Sequence, residues 1–227
     1  MATGLSIPAT PNHHFISAPP NHSHCLRRYH RHLRLPTSLA ARSSLTDQSQ
    51  TLSAKNHLLS LIKDQERGLR TQSDPQKLSQ IIQAIDAIAE VGKGTVTTDN
   101  SLSATWRLLW TTEKEQLFII KNASFFGTKA GDVLQVIDVG SKTLNNVITF
   151  PPDGVFFVRS VIEVASSQRV NFRFTSAVLR GKGWEFPLPP FGQGWFETVY
   201  LDNEIRVVKD IRGDYLIVER APYSWKE

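Results

Sequence analysis

Cysteine and histidine are nearly missing from this sequence beyond its first 32 residues. The single cysteine is Cys25, six of the seven histidines precede residue 33, and only His57 follows them. Disulfide bonds, thiolate chemistry, zinc sites and Ser–His or Cys–His couples are built from these side chains. We therefore predict no metal site and no nucleophilic couple in the rest of the chain.

The sequence also lacks a long apolar run and a glycine-rich phosphate-binding loop. A helix that crosses a bilayer needs about 20 predominantly apolar residues in succession, and no segment reaches that length. Cofactors that carry phosphate groups commonly rest on a glycine-rich turn. We predict neither a transmembrane segment nor a bound cofactor.

Acidic residues are absent before Asp47, whereas the same segment contains five arginines and no lysine. These five account for the net charge of +5, because the remaining 21 basic residues are matched by 21 acidic ones. A protein that follows a phosphate backbone needs a basic stripe, and the neutral body offers none. We predict no nucleic-acid partner.

The first 46 residues are rich in Arg, Ser, Thr, Pro and His, and this composition is typical of an organelle transit peptide. A disordered basic tail is the alternative interpretation. The proline and histidine content favours a plastid over a mitochondrion. We predict a disordered transit peptide over residues 1–46 and a folded body over 47–227.

Two helices are predicted over about residues 55–92. In the second, Asp74 can cap the N-terminus, Pro75 suits the first turn and Gly92 ends the helix. Its apolar stripe consists of Leu78, Ile81, Ile82, Ile85 and Ile88. The stripe could lie on a membrane or on a sheet, and we favour the sheet because the polar face is not rich in Lys and Arg.

From about residue 104 to 220 apolar and polar residues alternate, which indicates short β-strands. Segments such as QLFIIK (116–121) and QRVNFRFTSAVLR (168–180) are predicted strands. Many short strands with one apolar face predict an antiparallel barrel or a strongly curled sheet. The expected fold is therefore mostly β, of the α+β class, with two helices packed at the N-terminal side of the barrel.

Strand alternation directs seven aromatic rings towards the interior of this sheet. These rings could line a ligand cavity or fill the interior, and alternation alone leaves both possibilities open. The seven residues are Trp106, Trp110, Phe156, Phe172, Phe174, Phe196 and Tyr200.

The segment GWFETVYLDNEIRVVKDIRGDYLIVER (194–220) mixes charged residues with apolar ones. Asp202-Asn203 suits a two-residue hairpin turn, which would set Leu201 opposite Glu204. Glu197 would then lie within reach of Arg206, and Glu219 would lie opposite Arg206 if Arg212-Gly213 makes the next turn. We predict a structural ion-pair cluster of Glu197, Arg206 and Glu219.

An enzyme that uses Glu197, Asp202 or Glu204 is the alternative interpretation of these charges. Carboxylates that share an arginine have lowered pKa values, which does not suit a general acid. We therefore predict no catalytic residues and no enzymatic activity.

The same segment resembles the C-terminal signature of the plastid-lipid-associated protein family, also called plastid fibrillins. That signature contains Gly-Trp, then Glu-Thr-x-Tyr-Leu-Asp-Asp, and this chain has Asn203 in place of the last Asp. TWRLLWTT, GDVLQVID and FRF occur in the order typical of the family. The resemblance implies a lipocalin-like barrel of about residues 104–220 that associates with thylakoids or plastoglobules in the chloroplast.

The resemblance implies two functions without catalysis. The protein would bind or carry hydrophobic molecules such as prenylquinones or carotenoids, or it would be a structural coat of plastid lipid bodies without an internal ligand. Peripheral membrane association fits both functions, and the sequence leaves the oligomeric state open. Apolar residues in two loops are candidates for contact with a lipid surface: Phe125, Phe126, Phe186, Leu188 and Phe191.

The predicted transit peptide can be tested by N-terminal sequencing of the protein isolated from plastids. The mature chain should begin between Leu39 and Thr51, because the acid-free, Arg-rich composition ends there. A mature chain that retains Cys25 would contradict the prediction.

Overall fold

A computed structural model describes residues 38–126, 128–190 and 192–227, and it describes side chains for 48–124, 128–190 and 192–227. Most of the predicted transit peptide lies outside these residues. One compact unit extends over Ala40–Glu227. The α-helices of the described chain are α1 (Ser38–Ile62), α2 (Pro75–Gly92) and α3 (Lys114–Asn122). None of these helices is long and apolar enough to cross a membrane.

Nine antiparallel strands form a single sheet in the described part of the chain, which confirms the prediction of a mostly β protein with helices. The strands are β1 (Ala104–Thr111), β2 (Val133–Asp138), β3 (Thr143–Phe150), β4 (Gly154–Val164), β5 (Arg169–Gly181), β6 (Trp184–Leu188), β7 (Gln193–Leu201), β8 (Ile205–Asp210) and β9 (Tyr215–Arg220). Their spatial order is β4-β3-β2-β1-β9-β8-β7-β5-β6, and β4 also pairs along its length with β5.

Helix α2 begins and ends as its sequence predicts. The side chain of Asp74 accepts a hydrogen bond from the backbone N–H of Lys77 at 2.9 Å, and Pro75 occupies the first turn. The last residue, Gly92, lies against β7, where a Cβ atom would be 2.1 Å from the carbonyl oxygen of Val199. Only glycine therefore lets the end of α2 approach the sheet this closely.

The isoleucine stripe of α2 packs on the sheet, as predicted. Ile81, Ile85 and Ile88 are buried together with Ile205 and Val207 of β8. We call this group the helix cluster; its buried members are Leu58, Ile62, Ile81, Ala84, Ile85, Ile88, Trp110, Tyr200, Ile205, Val207 and Ile217.

A second group, the sheet cluster, contains the apolar side chains on the face of the sheet opposite to α2. Its buried members are Leu102, Trp106, Leu108, Val133, Ile137, Leu144, Ile148, Ile162, Val170, Phe196, Val208, Leu216 and Val218. Strand β8 supplies both clusters by simple alternation, because Val207 belongs to the helix cluster and Val208 to the sheet cluster. This strand is therefore buried on both faces.

Two irregularities in strand pairing decide which aromatic rings join which cluster. The register shifts between Leu108 and Trp110 in β1, and again between Thr198 and Tyr200 in β7. A shift by one residue sends the following side chains to the other face of the sheet. Trp110 and Tyr200 consequently pack in the helix cluster, although alternation predicts them on the face of Trp106 and Phe196.

The predicted strand QLFIIK is wrong, because these residues lie in α3. Leu117 is buried and Ile120 packs against the sheet cluster, while Phe118 between them is exposed. That three-residue spacing is helical, and an apolar run this short does not distinguish a buried strand from a helix.

The predicted register of the 202–203 hairpin is also wrong. Leu201 pairs with Arg206 rather than with Glu204. The side chain of Asp202 accepts hydrogen bonds from the backbone N–H groups of Glu204 and Ile205, each at 2.7 Å. This Asx turn lengthens the loop by two residues and moves every pair beyond it.

The packing of α2 predicts a large effect of Ile85→Asp. The substitution should lower the free energy of unfolding by roughly 2–4 kcal/mol, because an unpaired carboxylate would enter the helix cluster. Val91→Asp is the control on the exposed side of the same helix and should cost about 1 kcal/mol or less. Thermal or urea melts of both variants measure the difference, and equal losses would contradict the packing.

Candidate functional site

A cavity of about 580 Å³ lies on the side of the sheet that carries the sheet cluster. Side chains from β1 to β5, β8 and β9 form its walls, and α3 and the segment before β7 complete them. The walls are mostly apolar, with Leu108, Val133, Ile148, Leu216 and Val218 among them. Cavities of this size and lining are typical of sites for small hydrophobic molecules.

Three of the seven predicted interior aromatics line this cavity: Phe156, Phe172 and Phe174. Phe172 stacks on Phe174 with 5.3 Å between ring centroids. Trp106 and Phe196 belong to the adjoining sheet cluster without lining the cavity. The aromatic wall is therefore supplied mainly by β4 and β5.

The other two predicted rings, Trp110 and Tyr200, lie away from the cavity in the helix cluster. Trp110 donates its indole N–H to Oγ1 of Thr71 at 3.2 Å. The hydroxyl of Tyr200 donates to Oδ2 of Asp202 at 3.0 Å. The two register shifts thus remove two large rings from the space in which sequence alternation places them.

The structure separates the predicted cluster of Glu197, Arg206 and Glu219. Glu197 on β7 pairs with Arg169 directly across on β5, and the Nη2–Oε1 distance is 2.8 Å. Glu219 on β9 accepts a hydrogen bond from Nε of Arg107 on β1 at 2.7 Å. The lengthened hairpin turn and the shift in β7 move Glu197 away from Arg206. The pairing of β8 with β9 sets Val218 rather than Glu219 opposite Arg206, so neither carboxylate reaches it.

Arg206 is instead fully buried beside the rings of Trp106 and Phe196, which lie 5.5 and 5.4 Å from its guanidinium carbon. Nη2 of Arg206 donates a hydrogen bond to Oε1 of Gln135. Its Nε and Nη1 groups find no partner among the described residues. Burial lowers the pKa of Arg206 to about 9, so the side chain remains charged at neutral pH.

The carboxylates considered for catalysis are held in ion pairs outside the cavity. Nζ of Lys55 on α1 lies 2.6 Å from Oδ2 of Asp202 and 2.5 Å from Oε2 of Glu204. Burial alone would raise the pKa of Asp202, but hydrogen bonds from Lys55 and the backbone leave it below its usual value. Glu197 is paired with Arg169 and does not line the cavity either.

We infer that the entrance of the cavity lies between the proline segment and the turn that joins β8 to β9, because both contribute lining residues from the ends of strands. Pro189 and Pro190 line one side, and Ile211 and Arg212 line the other. Leu188 also lines the cavity, whereas Phe186 is exposed.

The remaining surface-loop candidates lie partly outside the described residues. Phe125 and Phe126 belong to a short 3-10 helix, Ala123–Phe126, but their side chains are outside the description, as is residue Phe191.

Sequence reasoning missed the polar residues that line the cavity, among them Glu113, Gln135 and Asn146. A signal for Asn146 was present, because it interrupts the apolar alternation of Leu144 and Ile148 on β3. Burial raises the pKa of Glu113 to about 7, with Asp210 and Asp214 acting in the same direction. A hydrogen bond from Gln116 and the charge of Arg212 oppose this rise.

Comparison with known proteins identifies relatives of this chain. The PAP_fibrillin family model matches residues 52–219. "Probable plastid-lipid-associated protein 11, chloroplastic" from Arabidopsis thaliana is 72% identical over 174 residues, which cover 77% of this chain and 82% of that protein. No solved structure matches the chain significantly.

The raised pKa of Glu113 predicts a pH-dependent stability. A carboxyl group whose pKa is higher in the folded protein stabilises the fold below its ordinary pKa of 4.5, and this contribution is lost as the pH rises through about 7. Between pH 4.5 and 8 the free energy of unfolding should fall by about 1–3 kcal/mol more in the wild type than in Glu113→Gln. Parallel pH profiles from urea melts would contradict the buried state of Glu113.

Proposed function

The chain belongs to the PAP_fibrillin family, as its motifs predicted, and we propose that it binds or carries hydrophobic lipids in the plastid without catalysing a reaction. The observation that carries this proposal is the apolar cavity of about 580 Å³. Prenylquinones, carotenoids or similar molecules at thylakoids or plastoglobules are the ligands in view. The word "chloroplastic" in the name of the Arabidopsis relative supports the plastid location.

A lipocalin-like barrel is the architecture that we propose around this cavity. Support comes from the pairing of β4 with β5, which extends from Val155 opposite Arg180 to Val164 opposite Val170. With this pairing, eight strands follow one another in a ring, and β6 remains as an appendage of β5. An eight-stranded barrel is just wide enough to hold one small ligand.

The end of this barrel opposite the entrance is covered by side chains that bridge several elements. The guanidinium of Arg220 lies 4.5 Å from the ring centroid of Trp106 and donates to the carbonyl oxygens of Ser101 and Asn203, each at 3.0 Å. The indole N–H of Trp106 donates to the carbonyl oxygen of Leu102 at 2.9 Å. These contacts favour a cavity with one entrance.

A coat function remains the second candidate, and exposed aromatic side chains favour it. Phe118 on α3 is 68% exposed, and Trp184 and Phe186 on β6 are 52% and 58% exposed. Rings at such exposure can insert into the surface of a lipid body. In this alternative the protein contacts lipids from outside and carries no internal ligand.

We also propose that residues 1–46 are a plastid transit peptide and that 47–227 form the mature body. The absence of acidic residues before Asp47 supports the first part. The start of the family match at residue 52 supports the second.

Filling the cavity tests the carrier function directly. Ala177 is buried and lines the cavity, so Ala177→Trp should lower the amount of long-chain quinone retained per protein molecule at least tenfold. The matched control is Ala165→Trp in the exposed turn between β4 and β5, which should retain ligand like the wild type. Ligand is measured by absorbance after gel filtration, and circular dichroism verifies folding.

Loading of the two tryptophan variants at equal levels would count against an internal ligand. If Ala177→Trp does not fold, the smaller Ala177→Leu serves in its place. The coat function is measured separately by flotation with vesicles of plastid galactolipids. There Trp184→Ser with Phe186→Ser should abolish flotation if the coat function is correct, while Ala177→Trp should float normally.

A further inference from the structure

Two amide side chains lie at the inner end of the cavity. Gln135 on β2 and Asn146 on β3 are directly opposite one another, and both line the cavity. On these strands the lining begins at this pair and continues through Val133 and Ile148 towards the entrance. On these two strands the apolar lining therefore ends in a polar pair.

Arg206 fixes the orientation of both amides. A guanidinium can only donate hydrogen bonds, so Gln135 must turn its carbonyl oxygen towards Nη2 of Arg206. The Nε2 group of Gln135 then donates to Oδ1 of Asn146 at 3.0 Å. In this relay each amide has its oxygen occupied, and the Nδ2 group of Asn146 is left as a donor that no described residue accepts.

The relay also places a buried positive charge behind the amides. Arg206 is fully buried, and its Nε and Nη1 groups have no acceptor among the described residues. The charge of Glu113 acts on Arg206 without forming an ion pair with it, and a buried cation that is incompletely paired destabilises a fold relative to an apolar side chain of similar size. Such a local loss of stability is expected at functional sites rather than in a core that serves packing alone.

We propose that this relay selects ligands by their head group, and that Asn146 donates a hydrogen bond to an oxygen acceptor on an otherwise apolar molecule. The proposal rests on the carrier function above. The acceptor is a carbonyl oxygen, as in a quinone, or a carboxylate oxygen, as in a fatty acid. The ligand enters head first, and its apolar tail lies along Phe156 and Phe172 towards the entrance.

Hydrocarbons without an oxygen acceptor are disfavoured by the same arrangement. A site whose buried donors lose their water and gain no partner rejects the wrong ligand much more strongly than an apolar pocket does. The positive charge of Arg206, only one amide away, strengthens each donor in the relay. Arg206 and Gln135 act here as positioning residues, and Asn146 contacts the ligand.

Binding constants of three probes with tails of similar length test this selection. The probes are a prenylated benzoquinone, a long-chain fatty acid and a hydrocarbon such as squalene. The wild type should bind at least one of the two oxygen-bearing probes ten or more times as tightly as squalene. In Asn146→Leu, which removes the donor and keeps the volume, the preference should fall to about threefold or less.

Asn145→Leu is the matched control, because Asn145 lies on the same strand with its side chain on the opposite face from Asn146. This variant should keep the full preference. For a bound quinone, the infrared carbonyl stretch should shift to lower frequency in the wild type and in Asn145→Leu. In Asn146→Leu it should have the frequency of a carbonyl without a hydrogen bond.

The role of Arg206 is tested by the same preference, which is the ratio of the binding constants of an oxygen-bearing probe and squalene. Arg206→Met should reduce the preference, because each amide could then exchange the positions of its oxygen and nitrogen atoms. The melting temperature should not fall, because the substitution removes a buried charge. Arg206→Lys should restore the preference, since an ammonium group also only donates.

The outcomes separate this inference from the carrier function on which it rests. A wild type that binds squalene as tightly as both oxygen-bearing probes, or an Asn146→Leu variant with an unchanged preference, would overturn the selection and leave the carrier function intact. Failure of all three probes to bind the wild type would overturn both. Preference for the benzoquinone or for the fatty acid identifies the acceptor as a neutral carbonyl or as a carboxylate.

Discussion

Strand β8 is buried on both of its faces, and the elements around it are arranged to cover them. Ile205 and Val207 face the helix cluster, while Arg206 and Val208 face the sheet cluster, and all four side chains are buried. A strand in this position needs a cover on each side, and α2 supplies one of them. The stripe of α2, the close approach at Gly92 and the bulge at Val199 therefore belong to a single packing arrangement.

The register shifts connect this packing to the proposed function. Without them, Trp110 and Tyr200 would point to the same side as Trp106 and Phe196, where the cavity now lies. Two further large rings would fill much of a space of about 580 Å³. The shifts instead place these rings in the helix cluster, between the sheet and the helices α1 and α2. The same two irregularities therefore complete the packing of the helix cluster and leave the cavity unfilled. Small barrels whose own side chains fill the interior contain no cavity of this kind.

Much of the fold was predictable because it depends on patterns that act locally. Asp74, Pro75 and the isoleucine stripe predicted α2, and alternation predicted most of the sheet. The register of the hairpin between β7 and β8 was not predictable from its turn residues, because the side chain of Asp202 bonds two backbone groups and lengthens the loop. The separation of Glu197 from Arg206 follows from that error and from the shift in β7. Of the residues that line the cavity, Phe156, Phe172 and Phe174 were among the rings that alternation directed to the interior, whereas the two amides were overlooked as polar residues in a strand.

We propose that the cavity holds one hydrophobic molecule in the plastid, and native mass spectrometry of protein purified from plastids measures this occupancy. We expect a complex of one chain with one ligand, and an organic extract in which that ligand contains a carbonyl or carboxylate oxygen on a long apolar tail. A protein that carries no ligand, or that carries bulk membrane lipids in proportion to their abundance, would contradict the account.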